Sequence, residues 1–467
     1  MMGLLLALCL PAVTGIAWLS RYWKNSHWSA IAGYGYLLGI LMTTVLMRLW
    51  DALGLKLAFY PLAAILAGIT LLAFVRRSPR EATAPAYRPL SNSGNSLGAK
   101  LLFWLLAGLL LLQYGGILLE ILWRPLYPWD AWMNWAPKAR VWFEFRELVP
   151  WVDRGEWLQL APGKLAYTLG NPKASLYPPL VPLVQTWVAL GLGAWNDSLI
   201  NLPWLLCAAA LGLGLYGQAR NLGSPSLHAM LLSFGVLSLP YVSVHTALAG
   251  YADLWLSAFF SLAAIALFLW IQKRDPVQLA LAVLLAIACT QTKVPGIIWA
   301  AMLLPAWLLA IAPRITISGI AATGAVLVYL WVSGGISLEI PLLGKLVLTP
   351  QRITLPGIDS FAVAYHSVWK ALWQNYLTQG SWNLFAWLFL LALMYTVLSR
   401  RISRRMLPAT FLVGEAFLFL FITFFFTYHY ASALDGTTIN RATLHMVPML
   451  FFYLLLLYQP KEIITSP

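Results

Sequence analysis

Charge is what this sequence has least of. Only 10% of its 467 residues are Asp, Glu, Lys or Arg, against about 25% in an ordinary soluble domain. That shortage excludes a water-soluble globular fold. Cysteine is scarce too. Cys9, Cys207 and Cys289 sit singly inside apolar runs, at spacings that fit neither a zinc site nor a disulfide framework. They read as small buried apolar residues. No internal repeat is visible, which weighs against transporters built from paired halves. The N-terminal run MMGLLLALCLPAVTG has no basic residue ahead of its apolar core, so it is expected to be a retained span and not a cleaved signal.

What fills the sequence instead is apolar: 61% of residues are hydrophobic. Runs of roughly 20 such residues, enough to cross a bilayer as helix, recur along most of the chain. The expected class is an all-α polytopic membrane protein. The 24 tryptophans and 20 tyrosines suit the two membrane interfaces. The net charge of +14 reads as a topology signal in cytoplasmic loops and not as a nucleic-acid surface.

Candidate spans are Gly3–Leu19, Ser29–Leu49, Leu55–Val75, Leu101–Trp123, Leu199–Gly217, Leu227–Ala247, Ala252–Ile271, Val277–Gln291, Gly296–Ala312, Ile315–Val332, Trp382–Leu398, Leu407–Tyr428 and Ala442–Tyr458. Basic connectors at Arg76–Lys100, Arg220, Lys273–Arg274, Arg314 and Arg400–Arg405 fall on alternate loops if Leu180–Ala194 does not cross. That segment is short and starts among Pro178, Pro179 and Pro182, so it is expected to lie at the outer interface or to dip back out. The count is then about thirteen spans, N-terminus outside and C-terminus inside. The chain divides into N-terminal spans (1–123), a first outer loop (124–196), central spans (197–336), a second outer loop (337–381) and C-terminal spans (382–467).

The stretch Arg124–Arg140, RPLYPWDAWMNWAPKAR, stands out. It holds one acid, Asp130, among Trp129, Trp132 and Trp135, directly after an apolar run. The tryptophans offer flat faces for a sugar ring or an isoprenoid chain; their plainer reading is an interface belt. Asp253, Lys293 and Arg441 are bounded by apolar sequence, where a charge is costly unless it faces a partner or a wet cavity. A buried ion pair that fixes helix packing explains Asp253 and Lys293 as well. Lys173, Arg352 and His366 are further polar candidates in the outer loops. His429, Asp435 and His445 can be drawn as a metal site, but their loose spacing carries little information. Glu415, inside an apolar run, has no functional account.

These residues resemble the GT-C superfamily of integral-membrane glycosyltransferases, with the protein O-mannosyltransferases and the lipid A aminoarabinose transferase nearest. The matches are Tyr127-Pro128-Trp129-Asp130 after a span, Tyr177-Pro178-Pro179-Leu180 before a helix, Gly250-Tyr251-Ala252-Asp253-Leu254 opening a span, and Thr292-Lys293-Val294-Pro295-Gly296 between two short spans. Arg441 followed by Pro448 is similar to the basic start of a late family helix. The resemblance implies a GT-C-like bundle and a polyprenyl-phosphate sugar donor. An acceptor hydroxyl on a glycan, lipid or protein would attack the anomeric carbon in an inverting single displacement. It implies Asp130 as catalytic base and Lys293, Arg441, Arg352 and Lys173 as donor-phosphate contacts. Trp129, Trp132, Trp135, Tyr177, Asp253 and His366 would be substrate or lipid contacts. Where the family often carries a second acid, this chain has Ala131-Trp132, so no metal or other cofactor is expected. The implied setting is a bacterial inner membrane with the site facing the periplasm. The competing readings are a lipid-carrier flippase or transporter, and a glycan polymerase or ligase using a diphosphate-linked donor.

Overall fold

The computed structural model describes residues 1–75, 96–341, 344–355, 359–399 and 403–458; the side chains of Pro172, Lys173 and Asp359 also lie outside the description. The basic linker up to Asn95 and the start of the Arg400–Arg405 connector are therefore outside the described residues. The chain divides into two compact units. One is Met1–Ile297 with the end of the last helix from Val447; the other is Ile298–Met446.

The first unit is helical. It contains α1 (Met2–Tyr22), α2 (Trp28–Ala52), α3 (Phe59–Val75), α4 (Leu97–Trp123), α5 (Ala136–Phe145), α6 (Arg154–Leu158), α7 (Leu180–Leu192), α8 (Leu202–Asn221), α9 (Ser226–Leu237), α10 (Pro240–Ala247), α11 (Asp253–Lys273) and α12 (Pro276–Thr292). Local chemistry sets several starts. Ser96 accepts from Ala99 N–H ahead of α4, and Asp275 accepts from Val277 N–H ahead of α12. Helix α11 is apolar on every side and buried from Asp253 to Trp270, as a helix at the middle of a bundle must be. Helix α4 is the opposite case, with only 11% of its most apolar window buried.

Helices α9 and α10 meet at a 63° bend, where Pro240 cannot donate the N–H that would continue the ladder. At the end of α9 the Leu237 carbonyl accepts from Gln113 Nε2 at 3.4 Å and from Tyr114 Oη at 3.2 Å, and Gln113 also donates to Ser243 Oγ at 2.6 Å. A broken helix at membrane depth requires such partners.

One end of this unit is tied by amides. Gln218 and Gln278 exchange hydrogen bonds of 2.9 and 3.0 Å, and Asn221 Nδ2 donates to Gln218 Oε1 at 3.2 Å. Asn221 Oδ1 accepts from His27 N–H, and Trp23 Nε1 donates to Asp275 Oδ2. Burial, and then the charge of Arg220, push the His27 imidazole below its ordinary value. The starts of α8 and α11 and the end of α12 lie at the other end, with Asp130.

The second unit holds most of α13 (Gly296–Ala301), then α14 (Leu303–Ile311), α15 (Pro313–Val332), α16 (Trp369–Trp373), α17 (Phe385–Leu398), α18 (Leu407–Phe426), α19 (Tyr430–Leu434) and the first part of α20 (Thr437–Leu457). Helix α14 packs on α18, and no residue of α15 is buried. Between α15 and α16 the chain forms an antiparallel meander, β1 (Ile336–Ile340), β2 (Gly344–Thr349), β3 (Arg352–Leu355) and β4 (Asp359–Ala362), in the order β1-β2-β3-β4. Thr349 and Arg352 face each other across the β2–β3 turn.

Three sequence expectations meet the structure here. Among the described residues eight helices are long and apolar enough to cross a bilayer, or nine if the bent α9–α10 pair is one span. The protein is thus an α-helical polytopic membrane protein, and the count of about thirteen is not confirmed. The helices over Leu55–Val75, Val277–Gln291, Gly296–Ala312 and Trp382–Leu398 run only 10–17 residues, at or below the roughly 17-residue lower limit for a span. Second, α7 is covered by protein: every residue from Leu180 to Leu190 is buried. Third, the segment 337–381, expected as a loop, carries most of the four-stranded sheet.

Candidate functional site

Asp130 opens the helical run that follows α4. Pro128 supplies the turn: its carbonyl accepts from Ala131 N–H at 2.9 Å and from Trp132 N–H at 3.2 Å. Residues Ala131–Trp135 then form one turn of π-helix, closed by Ala136 N–H on the Ala131 carbonyl. Pro137 explains the change of register. It has no N–H for the Met133 carbonyl, so an α-ladder cannot run straight into α5. The half-buried Asp130 carboxylate accepts from Asn134 Nδ2 at 2.6 Å, and Asn134 Oδ1 accepts from Asn171 Nδ2 at 3.2 Å. Arg124 is engaged by Glu120 at 3.1 Å and lies over the Tyr127 ring. Both charged side chains of that pair are substantially exposed, so it contributes little.

The three tryptophans separate. Trp129 and Trp132 are exposed; Trp135 is fully buried and stacks on Tyr177, ring centroids 4.9 Å apart. Trp135 and Tyr177 therefore fill each other's faces. Beneath them Lys138 is buried, with Nζ donating to the Ser175 carbonyl at 3.0 Å and the Tyr177 carbonyl at 3.1 Å. Burial pushes its ammonium down to about 8. Lys173 lies in the short helical turn Pro172–Leu176 of this segment; its side chain is outside the described residues.

The next matching motif packs against this one. Gly250 has φ +102, and a Cβ there would stand 2.5 Å from the Ala131 Cβ, so only glycine lets this turn run past the residue after Asp130. Trp204 Nε1 donates to the Tyr251 carbonyl at 2.7 Å. Asp253, in the first turn of α11, is fully buried and pairs with Lys293 Nζ at 2.7 Å. Lys293 has extended backbone at the end of α12, where Pro295 ends the helical ladder. A shallow recess lies on the Arg124–Pro128 stretch ahead of Asp130, with room for little more than a water molecule, and is lined by Arg124, Tyr127, Pro128, Asn201 and Leu248 among others.

The structure thus brings Asp130, Trp135 and Tyr177 together, and Asp253 with Lys293, at one end of the first unit. The remaining candidates belong to the second unit. Arg352 is exposed at the start of β3, His366 stacks on Tyr430 at 3.7 Å, and Arg441 is half-buried early in α20. His429 packs on Tyr428, His445 on Trp299, and Asp435 caps Thr437.

Sequence reading missed Asn134, Asn171 and the anchoring role of Lys138. The four-residue spacing of Asp130 and Asn134 was a usable signal, since such pairs share a helix face. It also missed His245, buried in α10, whose Nδ1 lies 3.0 Å from the Tyr241 carbonyl. A carbonyl only accepts, so Nδ1 carries the proton. No family model, curated protein or solved structure matches the chain.

Proposed function

We propose that the chain is a membrane glycosyltransferase that moves a sugar from a polyprenyl-phosphate donor to an acceptor hydroxyl at the outer membrane face. Asp130 takes the hydroxyl proton as the oxygen attacks the anomeric carbon. The bond from that carbon to the phosphate oxygen breaks, and the lipid phosphate leaves with both electrons. The configuration at the anomeric carbon inverts. Cations near the leaving phosphate stabilise its growing charge; within the first unit Lys293 and Lys173 are the proposed sources. Trp129 and Trp132 offer exposed rings for the sugar or the isoprenoid.

The observation that carries this reading is the Asp130 carboxylate, held by an amide donor in a π-turn beside exposed tryptophans. It lies at the end of the first unit opposite the Lys273–Arg274 connector. Positive charge marks the cytoplasmic side, so the carboxylate faces outward, and the proposed setting is a bacterial inner membrane with a periplasmic site.

The test is mass spectrometry of envelope glycans and lipid-linked sugars from cells lacking the gene, complemented with wild type or with Asp130→Asn. Wild type should restore a missing sugar and the variant should not, because general-base catalysis is worth about 10²- to 10⁴-fold. Unchanged glycans on deletion, or full restoration by the variant at equal protein level, would overturn the reading.

A further inference from the structure

We infer that Asn134 and Asn171 are positioning residues for Asp130, and that the segment 171–177 is the part of the fold that fixes the direction of its carboxylate. This rests on the reading of Asp130 as the base.

A carboxylate on a lone side chain turns freely about its terminal torsion. A base must present one chosen oxygen to the reacting hydroxyl, within about 3 Å and in line. Here Asn134 Nδ2 takes Oδ1 at 2.6 Å, which fixes the plane of the group. Asn134 is itself 1% exposed, so water does not hold its amide in place. What holds it is Asn171 Nδ2, donating to Asn134 Oδ1 at 3.2 Å. The direction of donation is set by chemistry: the carboxylate only accepts, so Asn134 turns its N–H₂ toward Asp130 and its oxygen toward Asn171.

Asn171 in turn sits at the head of a segment that is tied down twice more. Lys138 Nζ holds the carbonyls of Ser175 and Tyr177, and the Tyr177 ring lies on Trp135. Asn134, Trp135 and Lys138 all come from the π-turn and α5, the same short run that carries Asp130. The π-turn matters to this arrangement, because its extra residue changes the angular spacing between Asn134 and Lys138. The outcome is a relay of two amides running from the anchored segment to the reacting group.

The test uses the full-length protein in membranes, with synthetic polyprenyl-phosphate sugars carrying the sugar that the glycan comparison identifies. Asn134→Leu keeps the volume and removes the donor. It should lower kcat roughly tenfold to a hundredfold, the scale of misplacing a catalytic group. KM for the donor should change by less than about threefold, since uniform binding is untouched. Asn171→Ala, at a half-buried position, should lower kcat in the same way by a smaller amount, again with little change in KM.

If Asn134→Leu does not fold, Asn171→Ala decides alone. Wild-type kcat in a folded variant overturns the relay. A loss confined to KM also overturns it. Asp130→Asn separates the two levels of the argument. An inactive Asp130→Asn with a fully active Asn134→Leu removes the relay and leaves the base, whereas an active Asp130→Asn removes both.

Discussion

Lys293 and Asp253, forty positions apart in the chain, meet at 2.7 Å with the carboxylate wholly buried. Removing one partner of such a pair leaves an uncompensated buried charge, at a cost of about 3–5 kcal/mol. Lys293→Met and Asp253→Asn should each lower the unfolding temperature in detergent. The double variant should recover much of the loss, because no charge is then left alone. Strictly additive losses would show that the two side chains do not depend on each other. If Lys293 also serves the donor phosphate, the double variant stays folded and still binds polyprenyl phosphate poorly.

Lys138 gives a pH signature. Its folded-state value is about 8 against an ordinary 10.5, through burial. Between those values the unfolded amine holds a proton that the folded one has released, so stability rises with pH. The cost of burying the charge is full below pH 8 and is gone above 10.5. Wild type should therefore gain on Lys138→Met as pH goes from 7 to 10, by at most ~3 kcal/mol. The neutral amine keeps two N–H groups, enough for both carbonyls. Parallel melting curves for the two proteins would contradict this.

Gly250 should be far less replaceable than Gly163, although both have positive φ. A Cβ at Gly163 meets nothing within 4 Å, whereas one at Gly250 meets Ala131 at 2.5 Å. Gly163→Ala should cost only the left-handed strain, roughly 1–2 kcal/mol. Gly250→Ala adds overpacking, typically a further ~1–3 kcal/mol, and moves Ala131 away from its place beside Asp130. Equal losses in thermal unfolding would remove the close approach from the account.

The two ends of the first unit should label differently. In a background without Cys9, Cys207 and Cys289, a cysteine at Pro172 should react with an impermeant maleimide on intact cells. One at Arg274 should react only after the membrane is opened. The reverse pattern would invert the orientation.

Much of this was legible because the forces are local. Each apolar run became helical, two of them broken into a pair of helices, and the motifs at Gly250–Leu254 and Thr292–Gly296 marked real breaks, since Gly and Pro act on the backbone wherever they fall. A buried ion pair was foreseen only as the plainer alternative, without naming Asp253 and Lys293 as each other's partner. What escaped was set by partners distant in sequence. Asn171 meets Asn134 across 37 residues, and no periodicity announces it. The apolar run of α7 looks the same whether lipid or protein covers it. The strands from Ile336 to Ala362 are short and broken by turns, so their alternation was weak beside the long runs around them.

The bend between α9 and α10 has a consequence for synthesis. Gln113 reaches its acceptor at Leu237 across 124 residues. At about 5–20 residues per second, the amide waits on the order of ten seconds for the segment that satisfies it. During that wait α4 carries an unanswered polar group on a helix with little else to hold it. Gln113→Leu should accordingly speed the insertion of α4 by the translocon while weakening the finished bundle, so that one side chain trades ease of birth against durability.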